Sequence, residues 1–299
     1  MLNRFSVGKS QRKRYLFIAS LLLPVFAIFI VVRIWPITET FRLSFHHYDM
    51  LRHTETYIGL RNYSRLFASN DFILSLKNTV LFAAVTVPVN IFFALGLAML
   101  LQSRKRKIPI LEAIYFLPYM VPLVPASIVW KWIYSPNGLL NRFLETIGLS
   151  HVAWLTGSMA LFSIMILFVW RMNGYLMIIF LVGLRSIPSI YHDAAAVDGS
   201  NWWQQTRFVT LPILRPILLY ASIMATVWAF MIFSPVYVMS QGSDFATGGS
   251  VKVLSLDIYM RAFSYMRMDM ACTEAVILFM IILFFTAINL RVSRQKSVH

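Results

Sequence analysis

Six long apolar runs divide the chain, at 15–32, 78–101, 108–130, 160–184, 217–237 and 271–290, with polar stretches between them. The first, second and fifth carry no charged side chain. The third carries only Glu112, the fourth only Arg171 and the sixth only Glu274. An α-helix needs about 20 mostly apolar residues to cross the hydrocarbon layer of a bilayer. The runs are continuous, unlike the two-residue alternation of barrel strands. The predicted fold class is all-α: a polytopic membrane protein with about six transmembrane helices. A single unit fills 1–299, with a first helix at 15–36 and a core at about 72–292.

Composition agrees. Hydrophobic residues make up 59% of the 299 and charged ones 13%, against about 25% charged in soluble domains. The net charge of +15 would suit a nucleic acid, but its placement argues for topology instead. With the N-terminus inside, segments 1–14, 102–107, 185–216 and 291–299 hold 15 Lys and Arg in 61 residues. The opposite segments 38–72, 134–159 and 239–271 hold 8 in 94. That bias places both termini in the cytoplasm and makes anionic lipid the partner of the excess charge, with no nucleic acid. Arg12-Lys13-Arg14 before the first run resembles a signal-peptide lead. The run continues to Val31-Val32-Arg33-Ile34-Trp35-Pro36 without a small-residue cleavage site, so it is read as an uncleaved helix. The single Cys272 excludes an intramolecular disulfide.

Two interruptions carry information. Pro118, Pro122 and Pro125 fall within the third run, where lost backbone donors predict a kink. The polar stretch 185–216 reads RSIPSIYHDAAAVDGSNWWQQTRFVTLPILRP. Asp193 ahead of Ala194-Ala195-Ala196 predicts a short helix with an acidic first turn. Gly199 then breaks it, with access to a left-handed backbone. Helical spacing resumes from Trp202 to Val209, up to Pro212. Two short helices joined by a glycine bend would lie across the cytoplasmic face. The alanines would present a low-relief surface suited to a partner's groove.

This stretch resembles the signature of the integral-membrane subunits of binding-protein-dependent ABC importers: Glu-Ala-Ala, three residues, Gly, then about nine residues to an aliphatic-x-Leu-Pro. The matching residues are Asp193-Ala194-Ala195, Gly199 and Val209-Thr210-Leu211-Pro212, flanked by Ile187-Pro188 and Arg215-Pro216. Asp193 replaces the usual glutamate and keeps its charge. Ser44-Phe45, Gly59-Leu60, Asn62-Tyr63, Asn78-Thr79, Trp132-Ile133-Tyr134-Ser135-Pro136, Gly138 to Asn141, and Trp170 with Gly174-Tyr175 resemble the carbohydrate-importer branch. The likeness is to the maltose- or glycerol-phosphate-type permease and spans the chain from about Pro24 onward. It implies an alternating-access importer of a sugar or polyol in the bacterial inner membrane. The implied partners are an ABC ATPase dimer, a second permease subunit, usually a paralogue, and an extracytoplasmic solute-binding protein. Asp193, Ala194, Ala195, Gly199, Leu211 and Pro212 would form the joint with the ATPase. No cofactor is expected in this chain, because ATP and Mg²⁺ would bind the ATPase.

The residues offer no catalytic machinery of their own. Gly8-Lys9-Ser10 echoes the end of a phosphate-binding loop, but Asn3 stands where its first glycine belongs. His46-His47 lacks a spaced third ligand, so no metal site is expected and a solvated loop is read there. Polar groups within apolar spans are costly, about 2.5–3.5 kcal/mol for a charge at helix centre. Arg171 and Asn173, with Asn90, are therefore the candidates for a solute pathway. Tyr175, Trp228, Phe233 and Tyr237 are candidate aromatic platforms for sugar faces, with helix packing or interfacial anchoring as the alternative. A permease for a non-sugar solute and a secondary transporter are the competing functions. Few acids within the spans and no internal repeat disfavour the latter.

Overall fold

The computed structural model describes residues 9–50, 52–102, 109–240 and 251–294. The basic stretch 103–107, Gly8 and Lys296 lie outside the described residues.

Helix α1 (Lys9–Phe29) passes through a π turn at Ile30–Ile34 into α2 (Trp35–Ser44). This helix runs past the predicted end at residue 36. The ring of Pro36 conflicts with the carbonyl four residues back, and the π turn sits over that position. The described side chains of α1 are exposed. After α2, strand β1 (His46–Asp49) pairs antiparallel with β2 (Thr54–Tyr57), His46 opposite Tyr57 and Asp49 opposite Thr54. The stretch 38–72 is therefore helix, hairpin and α3 (Arg61–Phe67) rather than loop. His46 and His47 belong to a strand, correcting the solvated-loop expectation.

Helix α4 (Asn70–Gln102) has 33 residues, about 50 Å at 1.5 Å per residue. It exceeds the ~30 Å hydrocarbon layer. Its surplus lies at the hairpin end, where Phe72, Ser75, Asn78 and Thr79 are buried. The third apolar run is not one kinked helix. It forms α5 (Pro109–Met120) and α6 (Leu123–Ile133), bent by 93°, with Pro122 in extended backbone at the break. α7 (Leu139–Thr146) leads to α8 (Gly157–Arg185), then α9 (Ser189–Val197), α10 (Trp202–Gln205), α11 (Leu211–Ile213) and α12 (Arg215–Phe230). The fifth run is also broken, because α12 stops at Phe230 and α13 (Ser234–Ser240) follows. α14 (Leu254–Tyr259) and α15 (Met268–Arg294) complete the described chain. Among the described residues, five helical spans are long and apolar enough to cross a membrane, or six when the bent α5–α6 pair counts as one.

The bundle centres on α4 packed along α8, with α12 and α5 against them. Phe82 meets Phe168 edge-on at 5.2 Å in one half. In the other half Ala94 and Ala98 of α4 and Ala221 and Ala225 of α12 are buried around Leu176, Met177 and Phe180 of α8. Small residues four apart let the helix backbones approach closely, which drives packing where lipid supplies no hydrophobic force. Gly174 serves the same end between α5 and α8. A Cβ there would lie 2.1 Å from the Tyr115 carbonyl oxygen.

Candidate functional site

The 185–216 loop is built on a defined helix end. Pro188 in extended backbone starts α9, four residues before the expected start, so Asp193 lies inside the helix rather than leading it. Gly199 has φ +76°. Its N–H donates to the Ala196 carbonyl (3.0 Å) and the Ser200 N–H to the Ala195 carbonyl (3.0 Å). This pair of bonds satisfies the orphan carbonyls of a helix that ends in a left-handed residue. No heavy atom lies within 4 Å of a Cβ built at Gly199, so glycine is required there for backbone conformation, not for room. Asn201 then caps α10 reciprocally with Gln204. A π turn at Thr206–Thr210 precedes Pro212, as one precedes Pro36. Leu211 and Pro212 stand where the loop turns into α12, anchored by the buried Leu214.

The loop leaves a large apolar surface uncovered: Ile190, Tyr191, Val197, Trp202, Trp203 and Phe208 are all exposed, Val197 at 88%. Asp193 and Ala194 are exposed and Ala195 is half-buried. Just before the loop, the Gln102 amide at the end of α4 donates to the Leu184 carbonyl in the last turn of α8 (3.2 Å). Arg185 pairs with Glu112, which accounts for the lone charge of the third run.

Within the bundle, three of the predicted pathway residues converge. The Arg171 guanidinium carbon lies 5.1 Å over the Tyr119 ring, and its Nε donates to the Val121 carbonyl at the α5–α6 break (3.4 Å). Tyr175 stacks obliquely on Tyr119 at 4.8 Å and meets Trp228 edge-on at 5.2 Å. The Tyr175 and Tyr220 hydroxyls are 3.0 Å apart. Tyr119 and Tyr220 are additions to the predicted set.

The other candidates lie elsewhere. Asn173, two residues from Arg171, points away from the cluster, because two helical residues turn ~200°. It lines a separate cleft of about 470 Å³ with Phe93, Tyr115 and Trp170, and its Oδ1 is buried without a hydrogen bond. Asn90 is fully buried and donates to the Thr86 carbonyl (2.9 Å) within α4. Phe233 and Tyr237 stack at 5.4 Å, and both meet Tyr259 at 5.2 Å. They form a second aromatic group distinct from that of Trp228.

At the hairpin end a polar layer holds the elements together. Asp257, fully buried, pairs with Lys252 (3.0 Å) and Arg261 (2.9 Å), and Arg261 also reaches the buried Glu274 (2.9 Å). Burial works against the Lys252 ammonium, but Asp257 and Asp71 outweigh it and hold its pKa above the ordinary lysine value. The Asn78 amide donates to the Lys252 carbonyl (2.9 Å), and the Leu254 N–H donates to Thr79 (2.9 Å). His47 Nδ1 lies 2.8 Å from the buried Asp269. Asn62 donates to the Ser44 (3.2 Å) and His46 (2.8 Å) carbonyls. The Tyr63 and Ser44 hydroxyls are 2.8 Å apart. Asn141 donates to the Pro136 and Val152 carbonyls (3.1 Å each) and accepts from Trp154 Nε1 (3.1 Å). Many of the motif residues read from the sequence thus fold the loops at this end.

Long apolar spans, one of them sharply broken, and a shaped loop at one end define a multi-span membrane protein. Residues 90–295 match the family model described as binding-protein-dependent transport system inner membrane component, and the chain belongs to that family. It is the non-catalytic permease subunit of an ABC importer, an inner-membrane, multi-pass protein. The trehalose/maltose transport system permease protein MalF of Thermococcus litoralis is 31% identical, over 92% of this chain and 93% of that one. The lactose transport system permease protein LacF of Rhizobium radiobacter is 32% identical, over 98% and 99%. The fold matches a chain of a bacterial alginate ABC transporter crystallised with its pentasaccharide-bound periplasmic protein. The TM-score is 0.85 at 21% identity, covering 98% of this chain and 99% of that one.

Proposed function

We propose that this permease imports a carbohydrate, and that Arg171, Tyr119, Tyr175 and Trp228 form the solute-contacting part of its pathway. The observation that carries the reading is the clustering of three rings and a guanidinium at the break between α5 and α6. Aromatic faces suit the C–H patches of a sugar ring, and the tyrosine hydroxyls and guanidinium suit its oxygens. Irregular backbone inside a membrane domain belongs where it lines a cavity. The sugar-transport names of the relatives support the same reading.

The 185–216 loop is the joint with an ATPase dimer that binds ATP and Mg²⁺. Its exposed Ile190, Val197, Trp202 and Phe208 supply the apolar contact surface, and Asp193, Ala194, Ala195, Gly199, Leu211 and Pro212 shape it. The loop and both termini face the cytoplasm in this reading, which the Lys and Arg bias supports. The hairpin end faces the solute-binding protein, and a second permease, a paralogue, completes the pathway. One transmembrane domain spans 1–299, with its permease core at about 72–292. The test is ATPase activity and uptake by the reconstituted complex, dependent on the binding protein, across sugars, amino acids, phosphate and metal ions. Stimulation by a sugar is the expected result. Stimulation only by an amino acid or an inorganic ion would overturn the carbohydrate assignment.

A further inference from the structure

Arg171 has a charge that the described structure leaves uncompensated. No carboxylate pairs with it among the described residues. The carboxylate of α5, Glu112, is engaged by Arg185, and Asp257 and Glu274 are engaged by Arg261 and Lys252 at the hairpin end. Its hydrogen bond is made by Nε, to the Val121 carbonyl. The four N–H groups of the guanidinium fork have no hydrogen-bond partner among the described residues. A neutral donor would satisfy the same carbonyl without placing an ion inside an apolar span. Supporting the break therefore does not account for a cation at this position.

We propose that the imported carbohydrate is anionic and that its carboxylate or phosphate pairs with the Arg171 fork while the sugar ring lies against Tyr119, Tyr175 and Trp228. A planar guanidinium with its terminal N–H groups unused is matched to bidentate recognition of such an anion. A charge-assisted pair is stronger than a neutral hydrogen bond, and an uncharged analogue leaves the cation unpaired. The anion also supplies a countercharge that the described residues do not. Arg171 is then the residue that sets charge specificity. The inference rests on the carbohydrate reading of the pathway and sharpens it.

The test uses the complete complex, with its binding protein, second permease and ATPase, in proteoliposomes. Uptake is measured for a digalacturonate, its methyl ester, glucose 6-phosphate, maltose, lactose and a mixture of amino acids. Import of digalacturonate or the sugar phosphate, with the ester and the neutral sugars at least tenfold poorer, is the expected result, and which anion is taken distinguishes carboxylate from phosphate. Arg171→Gln keeps a donor for the Val121 carbonyl. It should lower uptake of the anionic solute about 10- to 100-fold while the ATPase still co-purifies. Arg171→Lys keeps the charge but not the fork and should fall between the two. If Arg171→Gln does not assemble, the wild-type preference for acid over ester decides the matter. Import of neutral sugars alone, or of acid and ester equally, overturns the inference and leaves the carbohydrate reading standing. Import of amino acids alone overturns both.

Discussion

Replacing Gly199 tests the joint at its most constrained point. The residue sits at φ +76°, and a Cβ there would meet no heavy atom within 4 Å. The whole cost of a substitution is therefore local and lies in the backbone. An L-residue with a Cβ costs about 1–2 kcal/mol in this conformation, and a β-branched one costs more. If the backbone relaxes instead, two hydrogen bonds, Gly199 N–H to Ala196 and Ser200 N–H to Ala195, lose their geometry, at about 1 kcal/mol each. A penalty of 1–2 kcal/mol lowers the population of the correct bend roughly 5- to 30-fold. Asparagine tolerates this region far better than other side chains. The expected order of ATP-driven uptake is wild type, then Gly199→Asn, then Gly199→Ala, with Gly199→Val lowest. The amount of permease in the membrane should be unchanged, because the loop lies outside the bundle core. The assay pairs uptake in vesicles with the ATPase recovered per permease after detergent extraction. Equal uptake by the valine and asparagine variants would refute the argument that the left-handed bend sets the fit.

Three further outcomes follow from other parts of the fold. Trp228→Ala removes a ring from the pathway cluster and should raise the apparent KM for uptake about 2- to 12-fold, since ring contacts contribute about 0.5–1.5 kcal/mol beyond burial; ATPase recovery should not change. Arg261→Leu leaves Asp257 and Glu274 buried without their shared cation, so thermal melting in detergent should show a loss of about 3–5 kcal/mol, and Arg261→Lys should recover part of it. A cytoplasm-active reporter fused after Arg294 should be active and a periplasm-active one silent; the reverse would invert the assigned topology.

The spans were legible because a bilayer-crossing helix needs only a long uncharged run, and the runs at 78–101, 160–184 and 271–290 each lie within a long helix. The glycine bend was legible because Gly199 interrupts a good helix former. The start of α9 was not, because Asp193 carries the charge that suits a first helical turn, while the backbone turns at Pro188. The hairpin at 46–57 escaped notice since its strands are four residues each, too short for an alternating pattern to stand out. Arg171 was conspicuous as a charge in an apolar run. Tyr119 was not, since aromatic residues make up 15% of the chain, and it is the tertiary packing of α5 against α8 that brings this one over Arg171. The separation of Asn173 from Arg171 was available from helical period alone, two positions being on nearly opposite faces. The fates of Glu112 and Glu274 depend on Arg185 and Arg261, distant or across a loop in sequence, so no local pattern announces those pairs.

The central claim is that the 185–216 loop is where this permease meets its ATPase, and site-directed crosslinking tests it most directly. The single native cysteine, Cys272, is buried, so a short bis-maleimide reports on introduced positions. In the complete complex, with one cysteine placed on the ATPase surface, Ala194→Cys should give a permease–ATPase adduct whose yield changes with ATP. Tyr57→Cys, exposed on the hairpin, should give none. An ATPase adduct from Tyr57→Cys, with none from Ala194→Cys while the ATPase still co-purifies, would contradict the account.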